Sequence, residues 1–398
     1  MTASDRWKPA LQHRQSRRDF IRMAGLLTGI GLLGACRSER SATPGVGTPP
    51  PVATPTTEPT EVVVPAVAGY DNPMIWQGRE ITVTSWGGDY QLAQQLAIFE
   101  PFARLTGAKV TVGKTDIDSL KSQVESSVVK WDVCDILLED VLPLANLGVL
   151  DELDYNVIQT TGIEHGIQFD HAIGSAYYST VLAYRQGTWP DEPAPSGWSD
   201  FWDLASYPGA RGLHQQAQTT LEFALIADGV ALGDLYPLDV DRALASLERI
   251  RDAVTLWWEQ GAQPAQLLNT GDVSMAAAWH SRVERVRQDG VLVDISWNGG
   301  ALSGDAWVIP KGSVNRNVAM DFINFATRPE VCAAFASLAP FGPVNAGAFK
   351  LMDPAVAREL PSFPANRELQ FIVDFDWWFK HQEAVDKQFA NWLSLKSQ

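Results

Sequence analysis

Between residues 80 and 138 the chain changes hydrophobic period four times, and this alternation restricts the fold more than any other feature. A run rich in β-branched residues, Glu80-Ile81-Thr82-Val83-Thr84-Ser85, leads into a helical stretch from Tyr90. There Leu92, Leu96, Phe99 and Phe102 recur at spacings of four and three until Gly107 stops the pattern. A strand over 109–112, a helix over 118–129 and a buried strand over 135–138 follow. Strand, helix, strand, helix, strand is the doubly wound α/β pattern, whose ligands sit at the carboxyl ends of the strands. Two chemically loaded segments fall at such ends: Trp86-Gly87-Gly88-Asp89 after the first strand and Glu139-Asp140 after the third.

A second α/β region follows. It reads as a strand over 175–184, a helix around 221–227, a long helix over 240–258, a strand over 273–279 and a charged helix over 281–289. Strands over 292–296 and 305–309 and a helix over 318–325 complete it. No repeat with a period of about 20–50 residues is present, which excludes solenoids and propellers.

The amino terminus has a different character. Residues 1–36 hold six Lys and Arg against two Asp in a chain whose net charge is −16. A basic stretch ending at Arg22 precedes thirteen mostly apolar or small residues, 23–35, and then Cys36. That is the layout of an export signal, too short for the roughly 20 residues that span a bilayer. Ser16-Arg17-Arg18-Asp19-Phe20-Ile21-Arg22 resembles the twin-arginine signature, and Leu33-Gly34-Ala35-Cys36 resembles a lipobox, so Cys36 is expected to be lipidated. Gly29-Ile30-Gly31-Leu32-Leu33-Gly34 matches a dinucleotide fingerprint but lacks its βαβ setting. Residues 37–75, rich in Pro and Thr without apolar periodicity, read as a disordered tether. The acidic balance argues against nucleic acid as a partner. Cys134 and Cys332 stand where small buried hydrophobes stand and read as free, inert thiols, with an exported disulfide as the alternative.

Four segments resemble a known family, the extracytoplasmic solute-binding proteins of ABC importers, in their spermidine/putrescine-binding branch. They are Val83-Thr84-Ser85-Trp86-Gly87-Gly88-Asp89-Tyr90; Trp131-Asp132-Val133 with Gly148-Val149-Leu150; Gly271-Asp272-Val273-Ser274-Met275 running into Trp279; and Trp307-Val308-Ile309-Pro310-Lys311-Gly312-Ser313 with Asp321-Phe322-Ile323-Asn324-Phe325. The resemblance implies a two-lobed periplasmic-binding-protein fold of type II, each lobe a doubly wound sheet with flanking helices, hinged by two crossing strands. The lobes are expected at 76–178 with 306–350, and at 179–305 with 351–398. The implied partners are a small cationic solute, polyamine-like, in the interlobe cleft, and ABC permease subunits in the membrane. The protein is expected as a monomer on the extracytoplasmic face, held by its lipid, without cofactor or metal.

Carried over residue by residue, the resemblance points to Trp86, Trp279, Asp305 and Phe341 as ligand contacts. A desolvated cation over an aromatic face gains up to about 2 kcal/mol, and a charged hydrogen bond roughly 1.5–3. Asp89, Glu139, Asp140, Tyr178 and Trp258 join the candidate set on position, although Asp89 and Asp140 also suit helix amino termini. His280 reads as structural. Where the family places acidic residues ahead of the second-lobe helix, this chain has Gln215, Gln216, Gln218 and Thr219, which opens the alternative of another small organic solute. Tyr177-Tyr178 could serve a ferric-ion receptor, but strand alternation sends them to opposite faces. No H-E-x-x-H, G-x-S-x-G, P-loop or C-x-x-C motif is present, so an enzyme is not expected; a secreted hydrolase with two cleft carboxylates is the rival class.

Overall fold

The structure is a computed structural model that describes residues 64–395. The first α/β region contains β1 (Glu80–Ser85), α1 (Gly88–Gln94), a π-helical turn (Gln95–Phe99), α2 (Glu100–Thr106), β2 (Lys109–Lys114), α3 (Ile117–Glu125), β3 (Val133–Leu137) and α4 (Leu138–Asn146). β1 is parallel to both β2 and β3, as the periodicity predicts. Gly107 ends α2 in the left-handed conformation (φ 76°), and a side chain there would run into the carbonyl of Pro73.

Next come β4 (Gln168–Phe169), β5 (Ala172–Arg185), α5 (Trp198–Trp202), β6 (Arg211–His214), α6 (Thr220–Ala227), α7 (Val240–Glu248) and β7 (Val254–Trp258). They are followed by α8 (Gln263–Thr270), β8 (Met275–Trp279), α9 (His280–Gln288) and β9 (Val293–Val308). α10 (Arg316–Ala326), α11 (Pro329–Leu338), α12 (Pro354–Arg358), α13 (Pro364–Arg367), β10 (Phe371–Ile372) and α14 (Phe375–Ser394) complete the described chain. Among the described residues no helix is long and apolar enough to cross a membrane.

The main strand order is β2-β1-β3-β9-β5-β8-β6-β7. Two long antiparallel strands, β5 and β9, therefore run through the middle and belong to both halves. Their amino- and carboxyl-terminal ends respectively meet β3's side, where Ala172 pairs with Val308 and Cys134 also pairs with Val308. Their other ends meet β8, where Tyr184 pairs with both Met275 and Asp294. Aromatic packing fills both halves: Phe102 and Trp307 meet Phe322 at 5.3 and 5.6 Å in the first, and Trp198 stacks on Phe223 at 3.7 Å in the second. In the second half the buried Arg211 guanidinium is consumed by backbone carbonyls, Phe201 and Gly209 at 3.0 and 2.9 Å together with Tyr207.

Three expectations are corrected. The helix over 240–258 is cut short: α7 ends at Glu248, and Val254–Trp258 form β7, parallel to β6. The strands at 292–296 and 305–309 are one continuous strand, β9. The tether does not reach residue 75, because Val64, Val67 and Tyr70 are buried against the first half. The Tyr70 hydroxyl donates to the Asp321 carboxylate at 2.8 Å, and the Trp76 indole donates to the same group at 2.6 Å. The export signal, Cys36 and residues 37–63 lie outside the described residues.

Candidate functional site

The carboxyl ends of β1, β3 and β8 converge with the middle of β5 and β9. After β1 the chain turns sharply through Gly87 and Gly88, both at positive φ (82° and 61°) and with open space where a side chain would stand. The glycines are thus needed for the turn itself. That turn presents Trp86, half-buried, whose indole N–H donates to Asp305 Oδ1 at 3.0 Å. Asp305 is in register with Leu137 of β3 and Ala176 of β5, so it sits where three strands meet. Its carboxyl is held well above the ordinary carboxylate range, first by burial and then by the nearby charge of Asp135.

Asp135 escaped the sequence reading. It lies wholly buried inside the apolar β3 and accepts from Ser175 Oγ at 2.6 Å, from the Tyr90 hydroxyl at 2.7 Å and from the Gln94 amide at 2.7 Å. The available signal was the charge itself, in an otherwise apolar strand where an ionisable group needs partners. Tyr90 was missed as well; its ring meets Phe341 edge-on at 4.6 Å and so ties α1 to the loop that follows α11.

Glu139 and Asp140 occupy the first turn of α4, at the end of β3. Burial, with Asp140 alongside, pushes Glu139 up to about 7, while the Gln218 amide bonds to its carboxyl and opposes the shift. Gln218 belongs to the neutral stretch ahead of α6, so that stretch touches the acidic cluster from the second half. Thr219 beside it is held at φ 67°, a strained position for a β-branched residue. Burial also raises Asp140, with Lys121 opposing.

The aromatic side is equally well defined. Tyr178 lies 6.1 Å from Trp279, ring centre to ring centre, and its hydroxyl is raised by burial and by the charges of Glu139 and Asp305. Trp279 ends β8 and stands edge-on to Trp258 at 5.9 Å. Trp258 itself is wholly buried, stacked on His214 at 3.9 Å with its indole N–H donating to the Ala277 carbonyl at 2.9 Å. It therefore backs Trp279 in this conformation instead of facing a solute. Asp89 is exposed in the first turn of α1. Phe341 is half-buried between Tyr90 and His280.

His280 behaves as a structural residue. One ring nitrogen accepts from the Ser179 N–H at 3.2 Å and the other bonds to the Pro340 carbonyl at 2.6 Å; burial lowers the ring to about 4, so it stays neutral. Tyr177 faces away from Tyr178 and reaches Glu164 at 3.2 Å. Among the described residues no three His, Cys, Asp or Glu gather closely enough to hold a metal ion. Cys134 and Cys332 are buried free thiols. The site thus brings together Asp135, Glu139, Asp140 and Asp305 with Trp86, Tyr90, Tyr178 and Trp279. This arrangement suits a desolvated organic cation held by carboxylates and aromatic faces.

Known proteins give the same picture of the fold. Residues 97–365 match the family model described as bacterial extracellular solute-binding protein. The γ-aminobutyric acid-binding protein of Pseudomonas aeruginosa is 35% identical over 333 residues, 80% of this chain and 92% of that one. The spermidine/putrescine-binding periplasmic protein of Escherichia coli K12 is 26% identical over 210 residues, 52% of this chain and 58% of that one. An ABC transporter substrate-binding protein from Bradyrhizobium japonicum has a solved structure that superimposes with a TM-score of 0.76 at 39% identity, covering 79% of this chain and 99% of that one. These neighbours share the two-lobed architecture and are receptors for solutes, not enzymes. The chain belongs to the bacterial extracellular solute-binding proteins that serve ABC importers.

Proposed function

We propose that the protein captures a small organic solute through a protonated amino group and presents it to an ABC permease. The observation that carries this reading is the cluster of Asp135, Glu139, Asp140 and Asp305, on which, among the described residues, Lys121 is the one basic side chain that acts, through Asp140. Such a cluster lacks a counter-charge that an ammonium group would supply, and Trp86, Tyr178 and Trp279 offer it aromatic faces. Two cation–π contacts and two charged hydrogen bonds sum to about the 8 kcal/mol of a micromolar Kd.

The far end of the solute separates two versions. A polyamine such as putrescine or spermidine needs acceptors for a second ammonium, and Gln215, Gln216, Gln218 and Thr219 carry no charge. A solute with one ammonium and a neutral or anionic far end fits that stretch better. Arg282, in the first turn of α9 and three residues past Trp279, has no ion pair among the described residues and would suit a carboxylate. The hinge of this reading runs across β5 and β9, from 178 to 179 and from 305 to 306, and closure there would enclose the solute. Export, lipidation at Cys36 and docking of the closed form on the permease complete the scheme.

Calorimetric titration with γ-aminobutyric acid, putrescine and spermidine tests it. Heat with the amino acid alone supports the single-ammonium version, and heat with the polyamines supports the other. No heat with any of them at millimolar concentration removes the amine assignment and leaves the family intact.

A further inference from the structure

The two most buried carboxyls of the site are diagonal neighbours on one face of the sheet. Asp135 is in register with Trp307 and Asp305 with Leu137, so each lies two residues from the other's partner. Their surroundings are unequal. Asp135 receives three hydrogen bonds, from Ser175, Tyr90 and Gln94, whereas Asp305 Oδ1 receives one from the Trp86 indole. Two like charges this close and this dry do not both form, and the better-solvated member ionises first.

We propose that Asp135 and Asp305 share one proton in the ligand-free protein, and that the arriving ammonium group expels it, so that solute capture is coupled to proton release. The O–H bond of the Asp305 carboxyl breaks, its proton passes to a buffer base, and the ammonium replaces the lost positive charge between two carboxylates. The other titratable groups facing the pair are Tyr90 from α1, Tyr178 from β5, and Glu139 and Asp140 from α4, while Cys134, next to Asp135 in β3, lies on the opposite face. Lys121 of α3 and Asp386 of α14 act further out, on Asp140 and Glu139. His280 of α9 stays neutral on its backbone partners. Burial raises both Asp135 and Asp305 above the ordinary carboxylate range, in keeping with a proton retained between them.

This inference rests on the amine reading, and the test separates the two. The full-length protein is titrated with γ-aminobutyric acid and with putrescine in phosphate and in Tris, whose heats of ionisation differ, and the difference in apparent heat counts protons exchanged. Where Asp305 is protonated in the free protein about one proton is expected to leave per solute bound, so affinity there should fall about tenfold for each pH unit of acidification. Asp305→Asn keeps an oxygen to accept from the Trp86 indole and removes the carboxyl that carries the proton, so the weakened binding that survives should release close to none. Binding with equal heats in the two buffers overturns the proposal, and so does full release by Asp305→Asn at saturating solute, which would assign the proton to Glu139. Should that variant not fold, the native protein's buffer dependence decides alone. No heat with either solute removes the amine reading, and the inference falls with it.

Discussion

Gly261 offers a way to move one wall of the site without touching any group that would contact a solute. A methyl group at Gly261 would come within 2.9 Å of Cη2 of Trp279, and closer still to Cε3 and Cζ3. Ordinary carbon contacts lie at about 3.5–4.0 Å, so the indole must shift by roughly an ångström. It cannot retreat toward Trp258, which is locked by its stack on His214 and its hydrogen bond to Ala277. Any such shift alters the spacing between Trp279 and Tyr178, 6.1 Å apart, and with it the aromatic wall of the site. Overpacking of this kind costs about 1–3 kcal/mol, and a misplaced ring forfeits a cation–π contact worth up to about 2 kcal/mol. Gly261→Ala should thus bind the solute about 10- to 30-fold more weakly in calorimetric titration, while circular dichroism shows a native fold with a slightly lower Tm. Gly233→Ala, where an added methyl meets nothing within 4 Å, is the control. A folded Gly261→Ala protein with affinity within twofold of the native one would show that Trp279 does not contact the solute.

Replacing Asp305 or Trp279 with Ala should weaken binding at least tenfold each in the same titration, and unchanged affinity in both would mean the site is elsewhere. Glu222, wholly buried, accepts from the Tyr236 hydroxyl at 2.7 Å and the Trp378 indole at 2.8 Å, and burial lifts it to about 7. A carboxyl raised in the folded state contributes its stability below its unfolded pKa near 4.3 and loses it as pH rises through 7. Glu222→Gln, which keeps the accepting oxygen, should therefore leave Tm nearly unchanged at pH 4 and raise it by several degrees at pH 8, a relief on the order of 3 kcal/mol; equal effects at both values count against a charged Glu222. Burial pushes both Cys134 and Cys332 up to about 12, so neither should react with an aromatic disulfide reagent until the protein is unfolded, as thiol titration with and without denaturant would show.

How much of this was legible in the sequence depended on whether local or distant contacts set the conformation. β1 was read with its bounds intact because its β-branched run and the Trp-Gly-Gly that ends it are local signals. The helix over 240–258 was overextended because its later residues carry no Gly or Pro to interrupt the pattern. Val254–Trp258 become a strand by pairing with Arg211–His214, some forty residues earlier. β9 looks like two strands in the sequence because Gly299-Gly300 and Ser303-Gly304 are turn-type dipeptides. In the fold Gly304 is a point of close approach: a side chain there would meet the Ala176 carbonyl and lie 3.1 Å from Leu138 Cδ1. Gly300 likewise faces Gln370 Oε1 at 3.0 Å. Trp86, Trp279 and Asp305 entered the candidate set through the family resemblance and Tyr178 through its place on a crossing strand; the structure groups them, and their contact with a solute belongs to the proposal. Asp135 and Tyr90 entered by neither route, because one looks like a flaw in a buried strand and the other like an ordinary helical aromatic.

The placement of Asp305 and Tyr178 also bears on how a binding event would reach the rest of the molecule. Both lie on the strands shared by the two halves, and β5 departs from regular register against β9 on either side of Tyr178, between Gly174 and Ala176 and between Thr180 and Leu182. At the second irregularity Trp297-Asn298-Gly299-Gly300 bulge out of the ladder, since Thr180 pairs with Ala301 and Leu182 with Ser296. Such interruptions concentrate bending where ladder bonds are missing. His280 then ties Ser179, between the two irregularities, to Pro340 beside Phe341. A charge placed against Asp305 therefore acts on the bending segment itself, with no relay through either core. It follows that variants of Ser179 or His280, which touch no solute in this scheme, should change the open-to-closed balance and with it the apparent affinity, while the proton count per bound amine stays that of the native protein.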